Sequence, residues 1–298
     1  MPSAVIVGYG QMGHAIQHLL QNRCDIGIWK VAPRHILLTD QIHTRLPDCE
    51  FVFMCVPTAA HPELLQELVP NLARDCIVLS VAKGVDELGQ TTAEILANRL
   101  SPDMTWGVLC GPMIANEIVA GKPAYAQAGM SKPSRFNEVL SLFSGSSLTL
   151  ACSPLPHALS WSAALKNVYA PLFGILEALD LGDNARGMLL MTVIGEMNRL
   201  VEYLTGEPRA VYGEAGIADL MTTVTSPSSH HRALGQRVAR GDLADMQAEG
   251  IHTLEILTQT ERIPAGQFPL FDIAAALARS PLRVPDLLRD WLRAPFRT

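Results

Sequence analysis

Three glycines, Gly8, Gly10 and Gly13, form a G-x-G-x-x-G pattern directly behind the apolar run 4–8 and ahead of segment 12–21, whose leucines recur at helical spacing. Few local patterns restrict a fold so far. A strand that turns through glycine into a helix opens a βαβ unit: the first glycine permits the tight turn, the second lets a pyrophosphate approach the backbone, and the third lets helix pack closely on strand. The helix N-terminus, with Gln11 and Met12 in its first turn, then offers N–H groups and its positive dipole end to phosphate. Further apolar runs follow at 26–30, 36–38, 51–56, 76–81, 106–110, 125–128 and 148–151, with helical patterns such as 62–72 between them. Continuous apolar strands separated by helices define a parallel sheet covered on both faces. After Pro154 such runs stop, and helical periodicity takes over through Leu204, 217–224 and 242–261. The expected fold is α/β: an N-terminal Rossmann doubly wound parallel sheet over residues 1–153 and a C-terminal all-α domain over residues 154–298, divided at the proline-punctuated stretch 152–156.

The glycine loop implies a dinucleotide cofactor. The acid that grips a ribose 2′-hydroxyl belongs at the end of the second strand, and none stands there. Asp25 precedes that strand, while Lys30 and Arg34 follow it, which favours NADP over NAD. Pro57, closing the run 51–56, and Lys83, beyond the run 76–81, join the cofactor set.

Two lysines stand where chemistry is expected. Lys83, in Val81-Ala82-Lys83-Gly84-Val85, follows a strand at the carboxyl edge of the sheet, where such folds bind ligands. Lys166 lies inside the apolar segment 163–169; burial disfavours its ammonium form and moves it towards general acid–base work, unless a carboxylate holds the charge. Asp219 is the carboxylate to pair with it, and Thr223 lies one helical turn from Asp219 on the same face. Plainer readings stay open on these residues alone: Lys166 snorkelling outwards, Asp219 capping a helix.

At these positions the sequence resembles the NAD(P)-dependent glycerol-3-phosphate dehydrogenase family. The shared features are 8–13, 81–85 (the family's A-T-K-G run), and Gly111 and Pro112 with Asn116, Glu117 and 121–123. They continue through 165–170 (V-K-N-V), 182–186, 196–199, 215–219 (A-G-x-G-D-L), Glu249 with Gly250, and the closing segment 263–277. The resemblance implies reversible hydride transfer between a nicotinamide and C2 of a triose phosphate. Lys166 would be the general acid or base at the C2 oxygen, Asp219 would orient it, and Lys83, Asn167 and Thr223 would complete the substrate cage. Glu249 matches the position beside the nicotinamide.

Three departures stand out. His230 and His231, followed by Arg232, occupy the place of the family's Arg-Asn pair for the substrate phosphate. An arginine carries a permanent charge and a bidentate fork, whereas a histidine with its usual pKa near 6.5 is mostly neutral at pH 7. Thr192 stands where the family has another arginine. Trp29 is separated from Pro57 by a segment shorter than the family's, so a helix and loop of the cofactor domain are expected to be missing.

Other classes are disfavoured. With 23 Lys and Arg against 29 Asp and Glu, the net charge of −6 gives no support to nucleic-acid binding. The 6 cysteines include no CxxC pair and read as free thiols of a reducing, cytoplasmic compartment. The N-terminus has no signal-peptide pattern, and the longest apolar stretch, 155–181, carries Lys166, Asn167 and Glu177, so no membrane span is expected. His230, His231 and His252 lack a ligand spacing, so no metal is expected, and no G-x-S-x-G elbow is present. The expected partner is a small-molecule substrate, and the apolar helical half makes a homodimer the expected assembly. Two alternatives remain: a reductase of another 2-keto or 2-hydroxy substrate, as ketopantoate reductase is on a similar plan, or a cofactor-binding regulator without turnover.

Overall fold

The computed structural model describes residues 1–30, 40–244, 246 and 249–294, without the side chains of residues 40, 41 and 249. The strands are β1 (Ser3–Val7), β2 (Asp25–Trp29), β3 (Phe51–Met54), β4 (Ile77–Ser80), β5 (Thr105–Cys110), β6 (Ala124–Met130) and β7 (Leu148–Ser153). They form one sheet in the order β2-β1-β3-β4-β5-β6-β7. Helices α1 (Gln11–Leu20), α2 (Asp40–His43), α3 (His61–Leu68), α4 (Thr92–Arg99), α5 (Ala115–Val119) and α6 (Phe136–Leu142) connect them. β3 and β4 are buried at every position, as continuous apolar strands between two helical layers must be. The edge strand β2 is more exposed; Asp25 is its first residue rather than a preceding one, and pairs with Arg45 at 3.0 Å. The run expected at 36–38 lies outside the described residues.

All neighbouring strands run parallel except β5 and β6. A parallel return needs a crossover that spans the sheet, usually a full helix. The segment between β5 and β6 holds only the short α5, which packs against α1, so the chain turns back beside β5 instead. The sheet is therefore mostly, not wholly, parallel.

The contacts define two compact units, Met1–Asp86 with Gln90–Ser160, and Glu87–Gly89 with Trp161–Thr298. β7 ends at Ser153 and α7 (Pro156–Ala178) begins just after it, so the division falls within α7. The second unit continues with α8 (Gly182–Thr205), a π-helical turn (Glu214–Ala218), α9 (Asp219–Thr225), α10 (His230–Ala239), α11 (Glu249–Gln259), α12 (Pro269–Arg279) and α13 (Val284–Arg293). Of the pattern expected over 242–261, Glu249–Gln259 is helical as α11, and the described residues 242–244 and 246 are not. The closing segment 263–277 leads into α12, and α13 follows it. Among the described residues no helix is long and apolar enough to cross a membrane.

A buried carboxylate organises the helical unit. Glu196 on α8, 1% exposed, accepts the Tyr169 hydroxyl at 2.8 Å and the backbone N–H groups of Leu270 and Phe271 at 3.1 and 2.6 Å. It thereby caps the first turn of α12 from another helix, satisfying donors that have no partner inside their own helix. Burial still pushes its pKa up, against the pull of these hydrogen bonds.

Candidate active site

In the first unit the glycine loop has the expected form. Gly8 turns at φ 92° beyond β1, a conformation glycine adopts without strain, and its N–H bonds the Trp29 carbonyl at 2.9 Å. A side chain at Gly13 would run into the Gly8 carbonyl, whereas beside Gly10 the space is open. No side chain caps α1, so the amides of Gln11, Met12 and Gly13 stand at the open first turn of a helix that begins at Gly10. These features fit a bound pyrophosphate. Lys30 follows β2 and is exposed; Arg34 lies outside the described residues.

Two loops at the sheet's carboxyl edge are laced together by residues that the sequence reading did not single out. His61, fully buried, bonds the Pro57 carbonyl through Nδ1 at 3.1 Å and Ser80 Oγ through Nε2 at 2.8 Å. A carbonyl only accepts, so Nδ1 carries the proton and Nε2 accepts from Ser80. Ser80 Oγ in turn accepts from the Ala82 N–H at 3.1 Å. A directed chain thus runs from Ala82, beside Lys83, to Pro57. Burial lowers the His61 pKa to about 4, which keeps the ring neutral. The available signal was the spacing of Pro57 and His61, one helical turn at the head of α3. Lys83 is half-buried and donates to the Gly111 carbonyl at 3.0 Å.

The second unit brings Lys166, Asp219 and Thr223 together. Lys166, 6% exposed, donates to Asp219 Oδ1 at 3.1 Å and to Thr223 Oγ1 at 2.8 Å. Thr223 Oγ1 gives its own proton to the Asp219 carbonyl at 2.7 Å, so it meets the ammonium with a lone pair. Lys166 is therefore buried and paired, and Asp219 faces it from the first turn of α9; neither plainer reading describes them. Asn167, 2% exposed, follows Lys166, and its carbonyl packs so closely on Gly250 that a side chain there would overlap it.

The histidine segment has a different character. Ser229 caps α10 by accepting the Arg232 N–H, leaving exposed His230 and half-buried His231 in the first turn. The Arg232 guanidinium is engaged: Nε and Nη2 each reach Glu177 at 2.7 Å, and Nη1 reaches the Ser226 carbonyl at 3.2 Å. Arg232 and Glu177 line a cavity with Met221, Val224 and Thr225, which lie on the face of α9 turned away from Asp219 and Thr223. Thr192 bonds back to the Met188 carbonyl. The Glu249 side chain lies outside the described residues, at the start of α11. Among the described residues no cluster of His, Cys, Asp or Glu could hold a metal.

A Rossmann sheet with a pyrophosphate loop, joined to a helical unit with a buried lysine–aspartate pair, defines a class: the nicotinamide-dependent dehydrogenases with a small-molecule substrate. Comparison with known proteins narrows it. Models of the family described as NAD-dependent glycerol-3-phosphate dehydrogenase match residues 30–135 (N-terminus) and 157–288 (C-terminus). A glycerol-3-phosphate dehydrogenase [NAD(P)+] of Deinococcus radiodurans is 32% identical over 83% of this chain and 74% of its own. One from Agrobacterium fabrum is 28% identical over 99% and 98%. The crystal structure of glycerol-3-phosphate dehydrogenase from Coxiella burnetii shares the fold, with a TM-score of 0.85 at 21% identity over 98% of both chains. The chain belongs to the NAD-dependent glycerol-3-phosphate dehydrogenase family.

Proposed function

We propose that the protein catalyses reversible hydride transfer between NAD(P)H and C2 of dihydroxyacetone phosphate, giving sn-glycerol 3-phosphate, with residues 1–153 as cofactor domain and 154–298 as substrate domain. The observation that carries this reading is the buried Lys166 ammonium held by Asp219 and Thr223 in a member of this family. The nicotinamide, when bound, supplies the hydride. As negative charge grows on the C2 oxygen, the Lys166 ammonium stabilises it and gives up a proton to it; in reverse, the amine takes that proton from the alcohol. Asp219 keeps the lysine charged and aimed in the reduction direction, and Thr223 fixes its rotamer. Asn167 and Lys83 supply further donors to the substrate. Gly8, Gly10, Gln11, Met12 and Gly13 hold the pyrophosphate, Pro57 and Glu249 contact the nucleotide, and Lys30 favours NADP.

His230 and His231, with Arg232 as the adjoining cation, take the substrate's phosphate end. A second reading has one observation in its favour. Arg232 is already clamped by Glu177 and Ser226, so it does not replace the missing Arg-Asn pair directly, and a 2-keto substrate without phosphate then fits better. Loss of NADPH absorbance on adding dihydroxyacetone phosphate tests the first reading. The double variant His230→Arg, His231→Asn should lower the KM for that substrate about ten-fold or more, since it restores a charged phosphate contact. No oxidation by wild type and none by the variant would reject the phosphate-bearing substrate. The free thiols support a cytoplasmic location, and exposed Met191 and Tyr203 on α8 support a homodimer, which light scattering checks.

A further inference from the structure

Tyr9, the residue between the first two glycines of the loop, carries two neighbours on its ring. His14 stacks on it with centroids 3.8 Å apart and planes 29° from parallel. The Lys30 ammonium stands over it, 5.3 Å from the centroid. The ring is braced at its tip, where the hydroxyl donates to Gln17 Oε1 at 2.5 Å. His14 is tied to the loop as well, its Nδ1 donating to the Gly10 carbonyl at 2.8 Å.

Backbone pairing explains why these side chains meet. β1 and β2 run in parallel register to Val7 and Trp29, and the Gly8 N–H bonds the Trp29 carbonyl, so Lys30 leaves the sheet beside the residue that starts the loop. An exposed lysine normally samples many rotamers, and a ligand that needs it in one place must restrict them. The negative face of an aromatic ring attracts an ammonium and narrows that search beforehand. Gln17 and His14 hold the ring in position before any ligand arrives.

We propose that Tyr9 is a specificity-determining positioning residue: its ring holds the Lys30 ammonium at the end of β2, where that cation meets a phosphomonoester on the adenosine ribose and selects it over a free hydroxyl. This rests on the nicotinamide-cofactor reading above. The hydroxyl of Tyr9 bonds Gln17 and not Lys30, so the ring face alone attracts the ammonium, and phenylalanine, still stacked on His14, should replace it.

Calorimetric titration of the full chain with adenosine 2′,5′-bisphosphate and with 5′-AMP tests this without any turnover. Wild type should bind the bisphosphate more tightly. Lys30→Gln should lose about ten-fold or more of that preference, the worth of a charged contact. Tyr9→Leu should lose about three-fold, as expected for an exposed cation–π contact, while 5′-AMP affinity stays level. Tyr9→Phe should keep the preference, which separates the ring's effect from any loosening of the loop. A Tyr9→Leu variant with undiminished preference, or one that loses both ligands in proportion, overturns the role of Tyr9 and leaves the cofactor reading intact. A wild type with no preference for the bisphosphate overturns both the role and the NADP assignment.

Discussion

The two units of this protein carry their chemistry in different ways. In the sheet unit the backbone does most of the work: a glycine turn, an uncapped helix start and strand-end loops present N–H groups and carbonyls. In the helical unit side chains do it: Lys166 meets Asp219 and Thr223 from 53 and 57 residues away. Backbone sites follow from short patterns, because turn geometry depends on a few neighbouring residues. A side-chain constellation depends on how long helices pack, and short stretches of sequence do not encode that. The units should therefore fail differently when perturbed.

The largest contrast is between chemistry and binding. Lys166→Ala should lower kcat by about 10³-fold, in the range general acid–base groups supply, while the NADPH dissociation constant measured by fluorescence changes little. Unchanged turnover would remove the role given to Lys166.

The next contrast is in the sign of the pH dependence. Folded His61 takes its proton only near pH about 4, against an ordinary 6.5, so the unfolded chain binds more protons between those values. Its contribution is complete above 6.5 and is lost as pH falls towards 4, a swing of roughly 3 kcal/mol from the shift. Urea unfolding of His61→Asn should lack that acid-side loss. Glu196 runs the other way: burial raises its folded pKa, so the folded state keeps its proton to higher pH, and stability is lost as pH rises through that value. Glu196→Gln should weaken the protein by about 1–3 kcal/mol, because it leaves buried donors short of an acceptor, and should flatten the loss seen as pH rises through the raised Glu196 pKa. Parallel pH profiles for wild type and each variant would refute the assignment of these two groups.

Comparable in size to the Glu196 change is the effect of crowding the glycine loop. Gly13→Ala drives a Cβ into the Gly8 carbonyl, and overpacking of this kind costs about 1–3 kcal/mol. NADPH binding should weaken with little change in kcat at saturating cofactor, the reverse of Lys166→Ala. The smallest effect belongs to Arg232→Ala. Its pair with Glu177 is partly exposed, so stability should fall by about 1 kcal/mol or less in thermal melts. A large rise in substrate KM in that variant would show that Arg232 reaches the substrate despite its clamp.

Much of this was legible beforehand. Strand positions and the order of sheet and helices followed from apolar runs and helical spacing, since a strand buried on both faces has little freedom in composition. Lys166 and Asp219 were legible as a candidate pair, but snorkelling and capping stayed open as plainer readings until the distances decided between them. The antiparallel β6 escaped notice because the segment before it looks like another crossover, and only its brevity and the packing of α5 on α1 turn it back. His61 escaped, and Glu196 was legible only as part of the shared run 196–199 without its capping role, because one buried histidine or glutamate has no periodic signature; each matters through partners brought from other elements.

By itself, then, the sequence determined the α/β plan, the glycine loop between strand and helix, and the adjacent histidines His230 and His231, all properties of adjacent or regularly spaced residues. Only the tertiary structure decided that Lys166 is charge-paired, that Arg232 is held by Glu177, that Tyr9 carries Lys30, and that a single carboxylate caps α12. Those are contacts between distant segments, and their geometry is set by packing the whole core rather than by local conformational preference.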